Sequence, residues 1–489
     1  MCGEIFRLMD FRPVLLIVGT LLAVLAFAMC IPAIVDAASG NPDWQVFAVS
    51  AGLTLFVGVS LTLTTSSEKV GLNVRQAFAM TTLAWLALTL FAALPFMFSE
   101  LQLSFTDAFF ESMSGITTTG STVIIGLDTA PPGILLWRGI LQWLGGLGII
   151  VMAIAVLPMM GVGGMQLFKI EAFDTGEKVL PRAAQISAAL VIIFIGLTAL
   201  CTIALWLAGM SLLESTVHAM TTMSTGGFST SDASVGHFNS WIVDLIITFG
   251  MIAGALPFLL FLQALRGKPW LLWRDEQVRG FIGIVALITV VVTVLLTINT
   301  GMDPVSALRY ASFNVISIIT GTGYANADYG MWGSFAPPIF FFIMFIGGCA
   351  GSTSCGIKVF RFQVLYAAAR VQLRRLLQPH GVFIPYYNRR PIPDEVITSV
   401  LSFFFVFGLS FALLALGLGM LGLDFMTAIS SAATAISNVG PGLGPITGPA
   451  GNFQSLPDAA KWLLAAGMLL GRLELFTILV LFSRDFWRG

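Results

Sequence analysis

Four short stretches combine hydroxyl side chains or an amide with glycine and carry no charge: TTTGST (117–122), STGGFS (224–229), TGTGYA (320–325) and SNVGPG (437–442). Carbonyl and hydroxyl oxygens are the ligands that replace the hydration shell of an alkali cation. Glycine permits the backbone twist that turns such oxygens to one side. The stretches align on Gly120, Gly227, Gly323 and Gly440, which lie 107, 96 and 117 residues apart. Oxygens from Thr118, Thr119, Thr225, Gly226, Thr322, Asn438, Val439 and the four glycines could together hold one dehydrated monovalent cation.

Such loops need a scaffold that brings them to one axis. Of the 489 residues, 57% are hydrophobic and only 10% charged, against about 25% charged in soluble domains. Several segments stay apolar for the ~20 residues that cross ~30 Å of hydrocarbon. Spans are expected near 13–35 and 44–64, then in pairs near 75–98 and 133–158, 183–209 and 240–265, 278–299 and 333–377, 394–421 and 456–483. Between the members of each pair lies a segment too short to cross: 104–116, 211–223, 303–318 and 424–437. At about 1.5 Å per residue the first reaches roughly 20 Å, so it dips in and its loop returns. Irregular backbone persists at that depth only where protein buries it or it lines a water path.

This pattern predicts an all-α polytopic membrane protein. Four tandem helix–pore-helix–loop–helix repeats surround a pseudo-fourfold pore, after two extra N-terminal transmembrane helices. The expected divisions are 1–70 for the helix pair, then 71–165, 166–268, 269–380 and 381–489. With the N-terminus inside, all but four of the 24 lysines and arginines fall on the cytoplasmic side. Arg138, Arg309 and Lys461 lie outside and Arg472 within the last span. That bias orients the chain, and the half-helices enter from an outer rim rich in carboxylates such as Asp107, Glu111, Glu214, Asp303 and Asp424.

Two further features lie near the predicted axis. GGCAGSTSCGIK (347–358) interrupts the second span of the third repeat, and its glycines predict a broken helix with a polar loop. The alternative is a glycine kink that serves packing. GSTSCGIK is not a phosphate-binding P-loop, since its lysine comes one place late and its flanks are transmembrane. Arg472 at membrane depth is expected to face the interior or a water path, or else to pair with a carboxylate from another helix. Glu474, two residues away, lies on a different helical face. At roughly 6 Å and an effective dielectric near 20, Arg472 would oppose a passing cation by ~3 kcal/mol.

The loops, the helix pair, GGCAGSTSCGIK and GRLE (471–474) resemble the Trk/Ktr/HKT superfamily of cation transporters, most closely its TrkH-like potassium uptake branch. The resemblance spans nearly the whole chain. It implies a K⁺-selective pore in each subunit, a homodimer, and a TrkA-like cytosolic subunit that supplies nucleotide binding. It also implies a gate across the pore built from Gly348, Cys349, Ala350, Gly351, Ser352, Thr353, Ser354, Cys355, Gly356 and Lys358, with Arg472 facing the pore. In that superfamily a serine at the first-loop glycine accompanies sodium transport, so Gly120 points to potassium. The third loop departs from a threonine-rich pattern, and Gly321 is expected to loosen that wall. One well-placed glycine per loop implies fewer stacked sites than a TVGYG channel has, and modest selectivity.

Other classes fit less well. Three scattered histidines (His218, His237, His380) form no HExxH, and Cys2, Cys30, Cys201, Cys349 and Cys355 form no CxxC, so neither an enzyme nor a resident metal site is expected. A net charge of −1 gives no reason to expect a nucleic-acid partner. Inverted-repeat transporters also use broken helices, but here all four loops enter from one side. Proton- or sodium-coupled K⁺ symport stays open, as does weak K⁺/Na⁺ selectivity. The expected location is the cytoplasmic (inner) membrane. The basic segment with Arg370, Arg374, Arg375, Arg389 and Arg390 faces either acidic lipid or a regulatory subunit.

Overall fold

The computed structural model describes residues 9–66, 73–155, 164 and 179–488. The expected divisions at 70/71 and 165/166, and Cys2, Arg7, Lys69, Lys169 and Lys178, lie outside the described residues.

Helices α1 (Arg12–Ser39) and α2 (Trp44–Thr65) pair with each other. In the first repeat α3 (Val74–Ala92), half-helix α4 (Phe105–Ile116) and α5 (Pro132–Ala155) follow. The second comprises α6 (Val179–Leu207), half-helix α7 (Leu212–Met223), α8 (Trp241–Ala255) and α9 (Phe258–Leu265). The third holds α10 (Glu276–Thr300), half-helix α11 (Pro304–Ile319), α12 (Ala336–Ile343) and α13 (Val359–Leu377). The fourth has α14 (Asp394–Met420), half-helix α15 (Phe425–Ser437), α16 (Asp458–Arg472) and α17 (Phe476–Leu479). Among the described residues, seven helices are long and apolar enough to cross a bilayer unbroken.

The half-helices start where capping chemistry starts them. Ser104 accepts from the Asp107 N–H, Ser211 forms a capping box with Glu214, and Asp303 and Asp424 cap α11 and α15. Each cap satisfies N–H groups that a helix N-terminus leaves open. The Asp424 carboxyl sits below its usual range because the Thr427 side chain and backbone hydrogen-bond to it.

Three of the expected spans are broken: two that were expected to be straight, and the 333–377 segment, where its glycines predict the break. The 240–265 segment bends by 97° after Ala255 and the 456–483 segment by 106° after Arg472. The 333–377 segment opens into the loop between Ile343 and Val359. Pro257 accounts for the first break, since it offers no N–H to continue α8. At the last, Glu474 (φ 60°) and Leu475 (φ 45°) adopt left-handed backbone without being glycine. Arg472 is therefore the final residue of α16 and not a mid-span residue.

Candidate functional site

Each half-helix ends in the same motif. One residue at each helix end is left-handed: Thr118 (φ 53°), Thr225 (φ 50°) and Gly321 (φ 72°), each just after the cap, and Asn438 (φ 52°), which is the cap itself. The N–H of each left-handed residue bonds a carbonyl three residues back, and the next N–H bonds one five residues back. The pairs are Thr118–Gly115 (3.0 Å) with Thr119–Ser114 (2.8 Å), and Thr225–Thr222 (3.0 Å) with Gly226–Thr221 (2.8 Å). Then come Gly321–Ile318 (3.0 Å) with Thr322–Ser317 (2.9 Å), and Asn438–Ala435 (3.3 Å) with Val439–Thr434 (3.0 Å). This Schellman termination favours glycine or asparagine at the left-handed residue. Gly321 thus takes the backbone that Thr118 and Thr225 adopt under more strain, and its wall is built like the others.

Two residues on, the backbone turns left-handed again at Gly120 (φ 89°), Gly227 (φ 77°), Gly323 (φ 81°) and Gly440 (φ 110°). These four close a ring. A Cβ on Gly120 would collide with the Gly226 carbonyl oxygen, one on Gly227 with Thr322, and one on Gly323 with Val439. A Cβ on Gly440 would come within 2.9 Å of the Thr119 carbonyl oxygen. Each glycine therefore backs onto the carbonyl just before the equivalent glycine of the next loop, in the order first, second, third, fourth, first. All four glycines line one cavity of about 290 Å³.

Hydrogen bonds behind the loops fix the ring. Gln142 donates to the Gly226 carbonyl (2.6 Å) and accepts from the Phe228 N–H (3.0 Å). Ser121 donates to the Gly440 carbonyl (2.7 Å), and Asn438 donates to Thr119 Oγ1 (2.8 Å) and the Met468 carbonyl (2.8 Å). The Glu111 carboxylate accepts from the Val123 N–H (2.9 Å) and from Arg138 Nε (2.8 Å). Arg138 in turn donates to the Ser229 carbonyl (2.7 Å) and lies 4.0 Å from the Phe228 ring centroid. The three cations expected on the outer side all have carboxylate partners: Arg138–Glu111, Arg309–Asp244 (2.7 Å) and Lys461–Asp107 (2.5 Å).

The 347–358 loop packs against this ring from the half-helix ends. Thr353 Oγ1 donates to the Met223 and Gly254 carbonyls (3.0 and 2.8 Å) and lies 3.3 Å from Thr225 Oγ1. Ser354 donates to the Thr320 carbonyl (2.7 Å), and Cys355 Sγ lies 3.8 Å from Thr118 Oγ1. The loop also seals the break between α8 and α9. Cys349 and Thr353 N–H groups donate to the Ala255 and Gly254 carbonyls (3.0 and 3.1 Å), and Phe258 N–H donates to Gly351 (2.9 Å). Ala350 N–H donates to Gln277 Oε1 (2.8 Å), Gly348 N–H to Ser354 Oγ (2.8 Å), and Ser352 Oγ to the Cys349 carbonyl (2.6 Å). Gly351 and Gly356 are left-handed (φ 73° and 70°), and Lys358 Nζ donates to the Ser354 carbonyl.

Arg472 packs against the same loop. It donates to the Thr353 carbonyl (3.1 Å), to Cys355 Sγ, and to the Gly145 carbonyl (3.0 Å). No carboxylate pairs with it among the described residues; the ion pair here is Arg361–Glu474 at 2.5 Å. At Gly145 and Gly471 a Cβ would collide with the Ile116 and Ile436 carbonyl oxygens, and at Gly254 it would come within 3.0 Å of the Met223 carbonyl oxygen. Three second spans thus approach the ends of their half-helices through glycine.

Sequence reasoning missed Gln142, Ser121, the Glu111–Arg138 pair and the breaks after Ala255 and Arg472. A lone amide within the apolar ILQWLGG segment (140–146) was the available signal for Gln142, since polar groups at membrane depth point inward.

The TrkH family, described as a cation transport protein, matches residues 44–488. The chain is 47% identical over 481 residues to the Trk system potassium uptake protein TrkI of Halomonas elongata, covering 97% of each. It is 39% identical to the TrkH protein of Escherichia coli, covering 98% of this chain and all of that one. The crystal structure of the potassium transporter TrkH from Vibrio parahaemolyticus superposes with a TM-score of 0.91 at 37% identity, covering 98% of this chain and all of that one.

Proposed function

This chain belongs to the TrkH family of cation transport proteins, and from that premise we propose a mechanism of potassium uptake through its own ring of loops. The potassium ion binds, as transported cargo, between Thr118, Thr119, Gly120, Thr225, Gly226, Gly227, Thr322, Gly323, Asn438, Val439 and Gly440. The observation that carries this reading is the cyclic packing of the four glycines against one another's neighbouring carbonyls. Loops held to a common axis at that spacing offer a cation fourfold oxygen coordination in place of water. The left-handed residues at both positions of each loop keep the oxygens in place without an ion to organise them.

The 347–358 loop and Arg472 form the gate. The loop crosses the inner mouth by hydrogen bonds to the second and third repeats and to Arg472 of the fourth, with Cys355 against Thr118 of the first, and the guanidinium adds a positive charge on the path of a cation. Opening requires the loop to withdraw from the Met223, Gly254 and Thr320 carbonyls together. Control by a TrkA-like cytosolic nucleotide-binding subunit, a homodimeric assembly, residence in the inner membrane and a cytoplasmic N-terminus complete the proposal. The repeat divisions 71–165, 166–268, 269–380 and 381–489 belong to it as well.

Radioactive rubidium uptake by the purified protein in liposomes, competed with K⁺, Na⁺ and Li⁺, tests this function. Uptake that K⁺ suppresses more strongly than Na⁺ and Li⁺ supports it. Equal suppression by all three removes the K⁺-selective ring. Uptake that follows an imposed proton or sodium gradient instead of the potassium gradient turns the mechanism into coupled symport.

A further inference from the structure

On the cytoplasmic side, outside the ion path, a cavity of about 600 Å³ lies between α10, α13 and the 384–387 segment. Arg279, Arg370 and Arg374 line it together with Tyr366, Tyr386 and Tyr387. None of the three guanidiniums makes an ion pair or a side-chain hydrogen bond among the described residues. The carboxylate in the lining, Glu276, accepts from the Asn388 N–H at 2.9 Å, so it is not directed at the arginines alone. Three unpaired guanidiniums around one space form a receptor for a phosphate or a similar oxyanion, which Arg binds through its planar fork of donors.

Depth identifies the source of that anion. Arg279 belongs to the first turn of α10, a helix that crosses the bilayer from Glu276 to Thr300, which places the cavity at the headgroup layer. Tyr366 and Tyr386 are exposed there, as aromatic residues are at membrane interfaces. The helix that carries Arg370 and Arg374 also exposes Leu373, Leu376 and Leu377. A basic helix with uncovered leucines on neighbouring positions suits an interface where phosphates meet acyl chains.

We propose that this cavity binds the phosphate of an anionic phospholipid of the inner leaflet. The helix it holds, α13, begins at Val359 directly after Lys358 of the 347–358 loop, so a bound headgroup anchors the cytoplasmic end of that loop.

Native mass spectrometry of the detergent-purified full chain, titrated with phosphatidylglycerol or phosphatidylcholine, tests the site. Wild type retains phosphatidylglycerol in preference to phosphatidylcholine. The R279Q/R370Q/R374Q variant loses roughly 100-fold in that retention, and each single Arg→Gln variant roughly fivefold, at the scale typical of a basic residue near an anionic surface. The R279K/R370K/R374K variant, which keeps the charge but not the planar forks, falls between wild type and the Arg→Gln variant and controls for misfolding. Millimolar inorganic phosphate leaves the lipid bound. Equal retention of the two lipids, or unchanged retention in the Arg→Gln variants, overturns the proposal and leaves the arginines to a protein partner. Displacement by inorganic phosphate also overturns it, in favour of a soluble phosphate site.

Discussion

The Arg472 guanidinium and the Thr353 carbonyl oxygen meet at 3.1 Å, joining the end of α16 to the loop that interrupts the third repeat. Arg472 also reaches the Gly145 carbonyl in the first repeat. Replacing it with alanine removes a buried positive charge and the donor that holds the loop. Arg472→Ala is expected to raise rubidium flux in liposomes roughly tenfold, within the ~3 kcal/mol that such a charge can impose on a passing cation. The preference for K⁺ over Na⁺ should persist, because no ring residue changes. Unchanged or lost flux in folded protein would remove Arg472 from the gate.

Deleting 349–355 takes away Thr353, Ser354 and the N–H groups that satisfy Gly254 and Ala255. Leak without any partner subunit should rise above that of Arg472→Ala. The thermal midpoint should fall, since each buried carbonyl left without a donor costs about 1–3 kcal/mol. A deletion variant that stays closed in uptake assays would sink the loop as a gate.

Gly321 and Gly323 stand two residues apart with nearly equal φ, yet their surroundings differ. A Cβ at Gly321 comes no nearer than 3.3 Å to another atom, whereas one at Gly323 collides with the Val439 carbonyl. Asparagine tolerates left-handed backbone and occupies the equivalent place in the fourth loop as Asn438. Gly321→Asn should keep rubidium uptake within about twofold, and Gly323→Ala should abolish it, since left-handed strain and a steric clash add there. Equal loss in both variants would contradict the ring geometry.

Gln142 bridges the carbonyl of Gly226 and the N–H of Phe228 across the second loop. Gln142→Leu keeps the approximate volume and removes both bonds, each worth about 0.5–1.5 kcal/mol. Competition assays should show Na⁺ suppressing rubidium uptake more strongly than in wild type, while total uptake persists. An unaltered ion preference would mean that the loop holds its shape without the amide.

Glu111→Ala strands Arg138 in a buried site. Losing one partner of a buried ion pair typically costs about 3–5 kcal/mol, so the midpoint in detergent should drop. Arg138→Met removes the other charge, and the double variant should recover part of the loss. A double variant no more stable than Glu111→Ala would argue against charge burial as the cause.

The half-helix boundaries were legible because capping residues and hydroxyl-glycine loops are local signals. Ser104, Ser211, Asp303 and Asp424 mark starts that the structure keeps, and Gly120, Gly227, Gly323 and Gly440 mark the returns. The cyclic packing was not legible, since which carbonyl faces Gly227 depends on a loop 95 residues away. The bends after Ala255 and Arg472 were hidden for a related reason. A helix breaks at membrane depth only where something else satisfies its backbone, and for Ala255 that something is Cys349. Gly321 looked like an exception by residue type and proved regular by conformation, because the motif selects for backbone handedness and not for threonine.

The carbonyls of Gly254 and Ala255 have their donors only while the 347–358 loop stays seated. Once it departs, water is the remaining hydrogen-bond source at that depth for those oxygens. If the loop gates the path as proposed, wetting of the path's mouth and its unblocking are a single event: solvent must invade for the unseated loop to be tolerated, and the same solvent receives the emerging ion.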